Sequence, residues 1–158
     1  MASWRRKPGV RREDTGDRMP SNALILVATI ILLFPMGYFL LASPAFLLVK
    51  LDIPPVTLLL RGMFNIHFLM VTIAGVIGTI AFAVAGQLIF ASCVGLIAAF
   101  AVCARLWFLG QMDTELRARD AGDADAVRRL RRLHWGGMLC NAVQLAAVMA
   151  IIPYAMAA

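Results

Sequence analysis

Apolar and polar stretches alternate coarsely along the 158 residues, and the lengths of the apolar runs set the architecture. Residues 23–49 form a first run long enough to cross a hydrocarbon core of about 30 Å. Residues 56–104 carry one charge, Arg61, and with the apolar residues beyond Arg105 they make about twice the length of one span. That stretch must fold back, and Gly86-Gln87 supplies the reversal in a very tight turn. A last run covers residues 133–155. The pattern predicts an all-α membrane protein, a four-helix transmembrane bundle with helices at about 22–49, 56–85, 88–110 and 133–155.

The polar segments refine this picture. Residues 50–55 (KLDIPP) read as a turn with a Pro-Pro stop. Residues 111–132 read as helix: Asp113 and Arg117, Glu115 and Arg119, and Asp125 and Arg129 are acid-first i,i+4 pairs. Gly122 is placed to end the incoming helix and Asp123 to cap the outgoing one. The third and fourth helices are therefore expected to project as an extended αα-hairpin. Residues 1–20, with Pro8 and Pro20, read as a basic disordered or surface-lying arm.

The first run contains Pro35 and Pro44, which predict a kink and leave open a re-entrant segment bent at Pro35. Cleavage near Ser43-Pro44-Ala45 would make it a signal peptide, but the run far exceeds an h-region of about 7–15 residues, so a retained helix is expected.

Composition agrees with a bilayer. The chain is 61% hydrophobic and 15% charged, with a mean hydropathy of +0.82, where soluble domains carry about 25% charged residues. The net charge of +6 does not point to nucleic acid, because the basic residues flank apolar spans, where they meet anionic headgroups. Six Lys and Arg lie on the arm side; Lys50, Arg61 and the seven from 105 to 132 make nine on the other. The count leans towards a cytoplasmic hairpin in a bacterial inner (plasma) membrane, though translocating so basic an arm opposes it.

Candidate chemistry is sparse. His134, Asn141 and Gln144 share a helical face and form a polar intramembrane patch, either a path or an interhelical clamp. Arg61, Asn65 and His67 open the second helix as a second polar group. His67 and His134 start from one membrane side at levels differing by roughly 6 Å, so a haem held between them would require tilt; no cofactor is expected. The basic hairpin (Arg117, Arg119, Arg128, Arg129, Arg131 and Arg132) is the candidate contact surface for headgroups or a protein partner. Small residues at i,i+4, namely Ala74 and Gly78, Ala91, Gly95 and Ala99, and Ala142, Ala146 and Ala150, predict close helix packing and a possible homo-oligomer. Trp107 and Trp135 fit an aromatic belt. Cys93, Cys103 and Cys140 have no metal-like spacing, the spans hold no acid, and no catalytic triad, carboxylate pair or phosphate loop occurs.

Certain segments carry a likeness: residues 37–46 (GYFLLASPAF), 58–64 (LLLRGMF), 105–117 and 130–145 (LRRLHWGGMLCNAVQL), the last with an Arg-Leu-His entry and an Asn seven residues after the His. This arrangement resembles domain-of-unknown-function family 4149, whose members resemble transmembrane protein 205. The likeness spans residues 37–150, and departs at Gly136-Gly137, where a small polar residue is expected. It implies a four-helix membrane fold without settled catalytic chemistry. Together these readings lead to a small non-enzymatic membrane protein of accessory, scaffold or partner-binding type, with a small transporter and a haem-binding redox subunit as alternatives.

Overall fold

A computed structural model of the chain describes residues 15–48, 51 and 53–157. They form α1 (Thr15–Ala42), a single turn α2 (Ala45–Leu48), α3 (Pro54–Val84), α4 (Leu88–Asp120) and α5 (Ala126–Ala157). The four long helices are each long and apolar enough to cross a membrane, and the fold is an all-α four-helix bundle. Residues 1–14 of the expected arm, and Lys50 and Asp52, lie outside the described residues.

Several boundaries differ from the sequence expectation. The last residues of the expected arm are helical, since α1 starts at Thr15 and runs through Pro20; the proline forfeits one intrahelical bond, the one to the Gly16 carbonyl. Pro35 does not break α1 either. The chain instead leaves the helix at Ser43-Pro44, where Phe46 N–H donates to the Ser43 carbonyl at 3.1 Å to open α2. The extended αα-hairpin is present as expected from the charge pairs, Gly122 and Asp123: the third long helix continues past residue 110 to Asp120, and the fourth begins at Ala126. At 1.5 Å per residue α4 is about 50 Å long, roughly 20 Å more than a hydrocarbon core. The charged hairpin is the continuation of the spans.

Both reversals end in the same way. Gly86 has φ 77° and Gly122 has φ 90°. In each case the following residue donates back five positions, Gln87 N–H to Phe82 and Asp123 N–H to Ala118, while the glycine N–H bonds to Ala83 or Arg119. These are Schellman closures, which require a left-handed residue that glycine adopts without Cβ strain.

The helices pack in a ring, α1 against α3, α3 against α4, α4 against α5 and α5 against α1, with the α3–α4 contact the most extensive. Small residues make that contact close: a Cβ on Gly75 would lie 2.8 Å from the Ala98 Cβ, and one on Gly78 would lie 3.1 Å from Val94. The buried row on α4 is Ala91, Val94, Ala98, Ala101 and Ala104, whereas Ala99, Ala146 and Ala150 of the expected stripes are exposed. Large apolar side chains such as Ile66, Ile80, Leu96 and Leu139 point outward, as a bilayer allows and water would penalise.

Phe64 is the centre of the bundle. It is fully buried and meets Phe39 of α1 at 5.1 Å between centroids, Phe108 of α4 at 5.5 Å, and His134 of α5 at 5.7 Å. Gly137 of α5 admits this ring, because a Cβ there would sit 2.8 Å from the Phe64 Cζ.

Candidate functional site: the polar contacts between the helices

The polar side chains of the spans divide between two interfaces. The first holds α1. His134 on α5 is 1% exposed, and its Nε2 lies 3.0 Å from the Ser43 carbonyl and 3.2 Å from the Ser43 hydroxyl. A carbonyl only accepts, so Nε2 carries the proton. One heptad further along α5, Asn141 Nδ2 donates to the Met36 carbonyl at 2.9 Å. The same seven-residue step separates both the donors and the acceptors, as antiparallel helices in register require. From α3, His67 bonds to the backbone of Pro35, whose only hydrogen-bonding group is its carbonyl. Its ring stacks on Phe39 at 4.1 Å with an interplanar angle of 28°.

These three side chains retain one free atom each. His67 Nδ1, His134 Nδ1 and Asn141 Oδ1 are buried without a hydrogen-bond partner. All three are acceptors, given the proton on each Nε2. Gln144 does not join them: it is half-buried and has no hydrogen-bond partner among the described residues.

The second interface joins α3 to α4 in a ladder of three rungs at successive turns. Arg119 Nη1 donates to the Thr57 hydroxyl at 2.5 Å. Arg61 grips Asp113 with two bonds, Nε to Oδ1 at 2.5 Å and Nη2 to Oδ2 at 2.8 Å. Arg105 Nε donates to Asn65 Oδ1 at 2.9 Å. Arg61 and Asn65 thus face α4, while His67 faces α1, and the three do not form one site.

His67 and His134 are anchored eight residues apart on α1, about 12 Å along its axis, twice the offset expected from the sequence. Phe39 and Phe64 connect their rings. No group of three or more His, Cys, Asp or Glu that could hold a metal ion occurs among the described residues.

The hairpin arginines fall into two sets. Arg129 bonds to Glu115 at 2.7 Å and to Asp123 at 2.6 Å, Arg128 pairs with Asp125, and Arg119 bonds to Asp120 at 2.8 Å. None of the three expected i,i+4 pairs forms an ion pair, because partners on a neighbouring helix or at the turn take the acids. Asp123 accepts the Asp125 N–H at 2.8 Å, closing the turn into α5. Arg129 and that N–H hold its carboxyl below the usual carboxylate range. Arg117 is exposed and bonds to no carboxylate, but its charge acts on Asp113; Arg131 and Arg132 are exposed and have no carboxylate partner among the described residues.

Sequence reasoning passed over Thr57, Ser43 and Phe64. Phe64 and Phe68 at i,i+4 signal a buried aromatic face, but Ser43 and Thr57 become partners only through residues 91 and 62 positions away. Comparison of the chain with protein families, curated proteins and solved structures finds no match.

Proposed function

We propose that this integral membrane protein is a non-enzymatic accessory or scaffold component that offers the basic crown of its α4–α5 hairpin to a partner. The observation carrying this reading is the division among the crown arginines. Arg119, Arg128 and Arg129 are engaged within the chain and Arg117 acts on the Asp113 carboxylate, whereas Arg131 is exposed and without a carboxylate. Desolvating a free cation against an opposite charge favours an acidic segment of a partner protein. The polar groups within the spans support the same reading, since His67, His134 and Asn141 all bond to α1. The test is co-purification from native membrane of wild type and of the Arg131→Glu variant. Loss of bound partners with the fold intact is expected; unchanged partners would sink the proposal.

A small permeation unit is the second reading. Its support is the three buried acceptors without donors, which a buried water or a donor-rich solute would satisfy. If Asn141→Leu left solute flux in proteoliposomes unaltered, this reading would fail.

A further inference from the structure

A groove of about 360 Å³ runs between α4 and α5 where the charged hairpin meets the apolar spans. Trp107, Phe108, Leu133 and Gly136 form its apolar part, and Glu115, Arg129 and Arg132 stand on it as the charged part. Glu115 is spent on Arg129, at 2.7 Å. Arg132 is left as an exposed guanidinium with no carboxylate partner among the described residues. The groove therefore presents one unopposed positive charge above an aromatic and aliphatic floor. Its floor is open because α5 has no side chain at Gly136, where a Cβ would meet nothing within 4 Å. The exposed Trp107 ring stands at its edge, as tryptophans do at headgroup level.

A soluble anion matches the arginine and leaves the apolar floor in water; an apolar peptide matches the floor and leaves the charge without a counterion. An amphiphile with a negative head and a hydrocarbon tail matches both. We propose that the α4–α5 groove seats an anionic phospholipid, its phosphate on Arg132 and an acyl chain laid over Gly136 against Trp107 and Phe108. Arg is suited to this task because its planar fork pairs bidentately with phosphate oxygens while its stem lies on apolar surface.

Brominated acyl chains that touch an indole quench it, so the test reads Trp107 directly. The full chain carrying Trp4→Phe and Trp135→Phe, with Trp107 as its sole tryptophan, is placed in phosphatidylcholine vesicles. A minor share of the lipid is brominated, either phosphatidylglycerol or phosphatidylcholine. One cation at the surface corresponds to roughly a fivefold preference for the anionic lipid. That preference is expected to vanish in Arg132→Gln, to fall in Gly136→Leu, whose side chain fills the groove, and to persist in Arg131→Gln. Inorganic phosphate is expected not to compete. Equal quenching by the two lipids overturns the assignment, as does a preference that survives Arg132→Gln or Gly136→Leu, one that disappears equally in Arg131→Gln, or one that free phosphate abolishes.

Discussion

Two adjacent glycines on α5 are asked for opposite things. Gly137 faces the Phe64 ring at a distance no Cβ tolerates, while Gly136 faces open space. Gly137→Ala should therefore destabilise the protein by about 1–3 kcal/mol through overpacking, and a Phe64→Leu background should recover part of that loss. Gly136→Ala should raise stability by several tenths of a kcal/mol up to about 1 kcal/mol through helix propensity alone. Unfolding in mixed micelles read by circular dichroism separates the two, and equal effects would refute the packing account. At the same scale, Asn141→Leu removes one interhelical bond and should cost roughly 0.6–1.7 kcal/mol. The Met36 carbonyl keeps its place within α1, so the loss is that of the clamp and no buried backbone group is orphaned.

The α3–α4 ladder and the hairpin turn belong to the scale of elements. Arg61 and Asp113 are each more than a third exposed, so solvent screening discounts their bidentate geometry. A double-mutant cycle with Arg61→Ala and Asp113→Ala should give a coupling of about 0.5–1 kcal/mol that shrinks as salt is raised from 0.01 to 1 M, the range over which the Debye length falls from about 30 to 3 Å. A coupling indifferent to salt would contradict the ion-pair account. The Asp123 turn is expected to be acid-sensitive. Its carboxyl titrates lower in the folded chain than in the unfolded one. Its stabilising contribution is therefore complete above the ordinary carboxylate value near 4 and is lost as the pH falls through the depressed folded value. Protection of the amides at residues 122–126, taken against their intrinsic exchange at each pH, should fall over that acidic window in wild type and show a weaker response in Asp123→Asn. The helical character of this segment was readable from its charges, but the choice of partners was not. The i,i+4 rule describes an isolated helix, and here α3 lies close enough to claim Asp113 while Arg129 claims Glu115.

At the scale of the whole molecule, lengths of apolar runs and two glycine reversals were legible because they depend on local sequence and on bilayer thickness. The ring order of the helices and the role of α1 depend on contacts between distant residues. Ser43 illustrates this: in the sequence it is a small residue beside a proline, and in the fold it is fully buried against His134. Four spans place the Gly86 turn and the Gly122 turn at opposite ends of the bundle. In a background lacking the three native cysteines, Gly86→Cys and Gly122→Cys should react with a membrane-impermeant maleimide from opposite sides. Labelling of both from one side would refute the arrangement.

The attachment of α1 also imposes an order on biosynthesis. This helix offers backbone carbonyls at Met36 and Ser43, and the side chains that bind them lie 105 and 91 residues further along the chain. At about 5–20 residues per second, α1 is synthesised some 5–20 s before Asn141 exists. During that interval it has only lipid, α3 or an insertion factor for company, and it becomes locked when the last helix arrives. A nascent chain stalled before residue 134 should therefore expose α1 to cross-linking by the insertion machinery, and one stalled beyond residue 150 with α5 clear of the ribosome should not. The final helix thereby acts as a completion signal, and a truncated product would be left with a loose first helix that membrane quality control can recognise.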